Sequence, residues 1–229
     1  YKSCQEANHV AYQTPKSLLN APEFNQLRSV LEKLVLRSLH DYGEKAFKWV
    51  LIETISIQLA INKQSNKRVY FRSFIDNKTS IIDQKYIQDE KLPNWLIYRN
   101  KEFDKLLKKL KLDVFDFFRD RQITKKNSTK LKKPIRVIKS RNIKNLKVIK
   151  IREYDTFIHD YNNLVVSKFL NKKKIIIPNL TYYPRAAFLP KNSLCDGSVA
   201  ILFPKNGISI KERDLEFYST QEFKNFYAI

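Results

Sequence analysis

The 229 residues carry 44 Lys and Arg against 23 Asp and Glu, a net charge of +21, on a chain that is 43% hydrophobic and 13% aromatic; this excludes a wholly disordered chain and leaves room for two folded units. Cys4 and Cys195 are too few for a disulfide framework or a zinc site, and Gly43, Gly197 and Gly207 are too scattered for a phosphate-cradling loop or a dinucleotide fingerprint. No apolar run approaches the roughly 20 residues of a membrane span, and the opening YKSCQEANHV has no apolar signal core, so the expected setting is the cytoplasm with no membrane; the absence of Met predicts a chain that is part of something longer.

Residues 10–19 read as a short strand turning at Pro15. A helix is expected over residues 22–34, opened by Pro22, with Phe24, Leu27, Val30, Leu31 and Leu34 at spacings of three and four. Strands are expected over residues 35–42, 50–61 and 68–75, so that the order strand, helix, strand, strand resembles the last part of an α/β sheet. Residues 79–100 are mixed, with Trp95 expected in a core or at a domain junction. The helix signal returns over residues 101–111, where Phe103, Leu106, Leu107 and Leu110 line one face and lysines the other. Residues 114–118 are apolar and aromatic and lead into a polar basic loop, 119–133. Strands follow over residues 134–143, 146–151 and 154–158. Two more, 175–177 and 198–203, bracket the loop Pro-Asn-Leu-Thr-Tyr-Tyr-Pro-Arg at 178–185. An aromatic helix over residues 210–229 closes the chain.

The charge is unevenly placed. Residues 101–150 hold eighteen Lys and Arg against five Asp and Glu, so +13 of the net +21 falls in one window. Such a concentration favours a polyanion track, and double-stranded DNA is the leading partner, because neutralised phosphates release counterions. Arg119, Arg121, Gln122, Lys125, Lys126 and Asn127, with Lys132 and Lys133 further along the same loop, are side chains that bond phosphates and purine edges. Lys139 and Arg141 stand near the end of the next strand. Asn179, Thr181, Tyr182, Tyr183 and Arg185 present an amide, a hydroxyl, two phenols and a guanidinium between prolines, groups suited to reading base edges or stacking on them.

Catalytic signals are weak by comparison. His9, His40 and His159 have no ligand-like spacing. Asp76 with Asp83 and Lys85, or Asp83 with Asp89 and Lys91, only approximate the paired carboxylates of a metal-dependent nuclease. No catalytic, cofactor-binding or metal-ligating residue is assigned in this chain.

The order of these segments resembles the C-terminal part of gamma-type, TaqI-like N6-adenine DNA methyltransferases that end in a target-recognition domain. The stretches that carry the likeness are VAYQTPKSLLNAPEFNQLRSVL (10–31), Asp41-Tyr-Gly-Glu-Lys-Ala-Phe47 with the strand after it, IRVIKSRNI (135–143), KKKIIIPNLTYYPRAAFLP (172–190), DGSVAILFP (196–204) and the closing STQEFKNFYAI. The resemblance implies a mixed α/β architecture, with residues 1–75 ending a methyltransferase-type sheet, 76–111 connecting, and 112–229 forming a β-rich recognition domain. It implies site-specific adenine methylation from S-adenosylmethionine in a restriction-modification system, with the base extruded from the helix. Phe47 matches the aromatic that stacks on the extruded adenine, although Gly43 stands one residue further away than in the family's Gly-x-x-Phe. The family's glycine motif for the cofactor and its Asn-Pro-Pro-aromatic tetrapeptide are missing, so this chain alone is expected to be inactive and to partner a catalytic part or a restriction subunit. The alternatives are a non-catalytic specificity subunit and, on Asp76, Asp83 and Lys85, a nuclease.

Overall fold

Alternation of apolar and polar residues organises the first sheet, which the computed structural model shows within its described residues, 8–61, 67–205 and 207–229. Strands β1 (His9–Pro15), β2 (Val35–Gly43), β3 (Thr54–Ala60), β4 (Arg68–Ser73) and β5 (Lys78–Asp83) lie in the order β1-β3-β2-β4-β5. β3 is antiparallel to both β1 and β2, and β4 is parallel to β2. Thus β1, β2 and β4 all run the same way and end at the same edge. One sheet face buries Leu36, Leu39, Ile55, Ile57, Leu59, Val69 and Phe71 against Leu18, Leu19 and Leu31. Leu31 ends helix α1 (Asn25–Leu31), which two 3-10 turns, Lys16–Leu19 and Pro22–Phe24, precede. Helix α2 (Gln84–Ile87) follows β5, and Trp95 is 3% exposed in this same core, its indole N–H donating to Glu32 Oε1 at 2.8 Å.

The chain divides into two compact units between Asn100 and Lys101. Residues 78–83, expected in a connecting segment, pair with β4 and extend the first sheet. The strand expected over residues 50–61 begins only at Thr54, which faces Pro15 and Gly43, the last residues of both neighbouring strands. Backbone before it has no ladder to join, and Trp49 and Leu51 are 90% and 84% exposed there.

The second unit begins with helix α3 (Lys101–Lys109), which buries Phe103 and Leu106. Its strands are β6 (Phe115–Arg119), β7 (Ile135–Ile138), β8 (Ile143–Lys144), β9 (Lys147–Val148), β10 (Thr156–Ile158), β11 (Ile175–Pro178), β12 (Ala187–Phe188), β13 (Ser193–Cys195) and β14 (Val199–Pro204). They form an antiparallel sheet β12-β11-β14-β6, a three-stranded sheet β10-β7-β13 and the hairpin β8-β9. Ile135, Val137, Ile138, Ile158, Ile176, Leu194, Val199 and Ile201 share one core between the first two of these. Cys195 is fully buried there, which pushes its thiol pKa up; Cys4 lies outside the described residues.

Several long elements expected here are broken. The strand over residues 134–143 stops at Ile138, and a 3-10 turn, Ser140–Asn142, leads into the hairpin instead. The strand over residues 146–151 shrinks to β9, because Leu146 takes a left-handed φ of 64° in the hairpin turn. The closing helix splits into α4 (Glu212–Glu216), a 3-10 turn and α5 (Gln221–Tyr227). Thr220 causes the restart: its backbone is extended, and its hydroxyl accepts the Phe223 amide at 3.1 Å as an N-cap. Phe226 of α5 stacks on Phe103 of α3 with centroids 4.4 Å apart. The molecule is therefore mixed α/β and rich in short strands. Among the described residues no helix is long and apolar enough to cross a membrane.

Candidate nucleic-acid interface

The basic loop 119–133 is folded by its own polar side chains. Asp120, 2% exposed, accepts the amides of Gln122 and Ile123 on Oδ2 at 2.9 and 2.6 Å. Asn127 accepts the Thr124 amide at 2.8 Å and donates to the Gln122 carbonyl at 2.9 Å, while Gln122 Oε1 accepts the Val165 amide at 2.8 Å. Thr129 forms a bridge with Phe157 beside β10. A Cβ at Gly197 would stand 2.8 Å from the Asp120 carbonyl, so glycine permits this close approach, and Arg119 Nε donates to the Gly197 carbonyl at 2.7 Å. Gln122, Asn127 and Arg119, expected among the contacts to DNA, thus also bond within the protein, Asn127 inside the loop, Gln122 to Val165 and Arg119 to Gly197. Arg121, Lys125, Lys126, Lys132 and Lys133 are exposed.

The turn after β7 hangs on a buried ion pair. Asp155, 8% exposed, holds Arg136 Nη2 at 2.9 Å and accepts Asn142 Nδ2 at 2.7 Å. Asn142 in turn accepts the Lys139 amide at 3.0 Å. This fastening sets Lys139 and Arg141 around one aromatic ring: Lys139 Nζ lies 4.1 Å from the centroid of Tyr154, and the Arg141 guanidinium 5.4 Å. Burial holds the Lys139 pKa below its ordinary value, and the nearby Asp196 and Asp155 charges offset only part of that. Lys125, Lys130, Lys139, Tyr154 and Asp196 line a cleft of about 620 Å³ over the buried Ile123 and Val137, a size suited to a nucleotide-sized guest. Tyr154 and Lys130 were not singled out from the sequence.

The loop 178–185 is braced from beneath. Arg185 Nε donates to the Ile143 carbonyl at 2.8 Å, Nη1 to Thr181 Oγ1 at 2.7 Å and Nη2 to the Ser140 carbonyl at 3.4 Å. Arg185, expected to read bases, ties the loop to the turn that carries Arg141. The Asn179 backbone N–H donates to the Ser198 carbonyl at 2.9 Å. Tyr182 and Tyr183 point away, 95% and 70% exposed.

In the first unit, Phe47 is 49% exposed in the loop after β2. At the shared edge of β1, β2 and β4 lies a cluster absent from the sequence reading. Asp41, fully buried, meets Lys16 Nζ at 2.8 Å, the Tyr98 hydroxyl at 2.7 Å and the Gly43 amide at 2.9 Å. Burial, together with the Asp41 charge, pushes the Tyr98 pKa far up, so the phenol keeps its proton and donates. The carboxylates proposed for a nuclease are used otherwise: Asp83 caps α2 by accepting the Lys85 amide at 2.8 Å, and Asp76 pairs with Lys78 at 3.2 Å. His9 and His159 are exposed, whereas His40 sits edge-on among Tyr42, Tyr70 and Phe74.

No protein-family model and no curated protein matches this sequence. Its fold is similar to that of the type IIL restriction-modification enzyme MmeI, solved in complex with DNA, at a TM-score of 0.53 and 10% identity over 86% of this chain. A weaker likeness, TM-score 0.35 at 11% identity over 87% of this chain, is to the type IIG restriction endonuclease BpuSI. The chain spans about a third of the length of either enzyme, 33% and 35%.

Proposed function

We propose that this chain is the DNA-recognition portion of a restriction-modification enzyme, and that the intact enzyme methylates adenine N6 from S-adenosylmethionine. The observation that carries the reading is the pair Lys139 and Arg141, from the window that holds most of the excess charge, set around Tyr154 beside a cleft that Lys125 and Lys130 also line. Cations above a ring and exposed lysines on a rigid loop suit a phosphate track that also offers a stacking surface. The likeness to an enzyme solved with DNA supports the same choice. On this reading Arg121, Lys125, Lys126, Lys132 and Lys133 meet phosphates, Arg141 and Tyr182 meet bases, and Phe47 stacks on the extruded adenine. The chain by itself neither holds the cofactor nor catalyses; heat released on titrating S-adenosylmethionine into it would count against that division.

Fluorescence anisotropy with duplex DNA at several salt concentrations tests the central claim. The slope of log affinity against log salt should fall by about 2 in the Lys125→Ala/Lys126→Ala double variant, since each phosphate contact contributes about 0.9. Arg141→Ala should narrow the gap between preferred and random duplex. Absence of salt-dependent binding to any duplex would end the proposal.

A further inference from the structure

We propose that the loop 178–185 is a wedge whose tip, Tyr182, enters the base stack of a bound duplex. The inference rests on the DNA-recognition reading and adds to it how the loop acts. Leu180, Tyr182 and Tyr183 are 85%, 95% and 70% exposed, three large side chains within four residues. Exposed apolar clusters of this kind mark surfaces that meet a partner.

The loop is held ready before any partner arrives. Pro178 and Pro184 at its ends are buried. Thr181 Oγ1 donates to the Tyr183 carbonyl at 2.8 Å and accepts the Tyr183 amide at 3.1 Å and Arg185 Nη1 at 2.7 Å. From the opposite side the Tyr227 hydroxyl of α5 donates to the Thr181 carbonyl at 3.1 Å. Ordering such a tip costs little on binding, because its backbone is already fixed.

Charge selects the partner. The carbonyls that anchor Arg185 belong to Ser140 and Ile143, either side of Arg141 and next to Lys139. An aromatic tip mounted on the same turn as two cations matches a polyanion with an apolar interior, which is a base stack, better than a protein surface. Apolar side chains entering a step unstack it at a cost of a few kcal/mol, and the cost falls where the step is already broken. The wedge therefore favours damaged duplex over intact duplex without needing to know the target sequence.

The experiment compares the full chain on a random-sequence duplex and on the same duplex with one central abasic site, by fluorescence anisotropy. The wild-type chain should bind the abasic duplex about tenfold more tightly, and the ratio should fall to near one in Tyr182→Ala. Arg185→Ala should reduce the ratio by loosening the brace while leaving both tyrosines. Phe117→Ala, 73% exposed on β6, should leave it unchanged. Equal wild-type affinity for both duplexes, or a preference that survives Tyr182→Ala, overturns the wedge while the recognition reading stands. No salt-dependent binding to either duplex overturns that reading and the wedge with it.

Discussion

The two units handle charge in opposite ways. Residues 1–100 hold fifteen Lys and Arg against ten Asp and Glu, and residues 101–229 hold twenty-nine against thirteen. Both fasten themselves with a buried carboxylate: Asp41 on Lys16 in the first unit, Asp155 on Arg136 in the second. In the first, the carboxylate ties together the ends of strands already joined in one five-stranded sheet. In the second, where the strands are short, it holds the turn between β7 and the β8-β9 hairpin. Backbone outside a ladder is free to carry cations outward, provided polar side chains replace the missing hydrogen bonds. That exchange is what lets the second unit, on the proposed reading, face a polyanion.

Both tryptophans lie in the first unit and only Trp95 is buried, so indole fluorescence follows that unit alone. Asp41→Ala should have the largest effect, a loss of about 3 kcal/mol in the fluorescence-detected urea transition, because it takes the buried partner from Lys16 and leaves the Tyr98 hydroxyl only Ser73 Oγ, 3.0 Å away. Glu53, 3.7 Å from Lys16, keeps the loss at the low end of what a broken buried pair costs. Asp155→Ala should remove about 2 kcal/mol from the second unit, less because Arg136 Nη2 retains the Ile149 carbonyl at 2.6 Å. That change should appear in circular dichroism and leave the indole transition in place. A fluorescence midpoint moved equally by both variants would contradict the independence of the two clamps.

How far the sequence reveals these features depends on the distance over which each is built. The sheet of the first unit shows in the alternation of β3 and β4, and α3 shows in the spacing of Phe103 and Leu106, because both patterns are local. The split of the closing helix at Thr220 needs only a threonine taken as a cap rather than as a helical residue. Tyr154 is different: it reaches Lys139 because β10 pairs with β7, matching Thr156 to Val137. Arg185 looks like a base reader in isolation; only the hairpin after Asn142 brings the Ile143 carbonyl beneath it. Lys16, Asp41 and Tyr98 are likewise far apart along the chain, and although Lys16 and Asp41 fall in stretches that carry the family resemblance, nothing there marks them as partners.

The smallest of the expected effects sharpens the contrast from the acid side. The Asp89 carboxyl is held below its ordinary pKa chiefly by the Lys91 amide, which donates at 3.0 Å, and further by Arg99 at 2.8 Å, against an opposing effect of burial. A carboxylate depressed in the folded state stabilises fully above its unfolded pKa, near 4, and loses that contribution as pH falls through the folded value. Asp89→Asn should therefore cost less than about 1 kcal/mol at neutral pH and flatten the decline of the indole transition as pH falls below about 5. Asp89 belongs to the first unit, so circular dichroism of the second should show the same acid limb in variant and wild type. Identical indole curves for the two proteins between neutral and acid pH would mean that Asp89 and its partners add nothing to the first unit, and that its stability rests on the sheet and on Asp41.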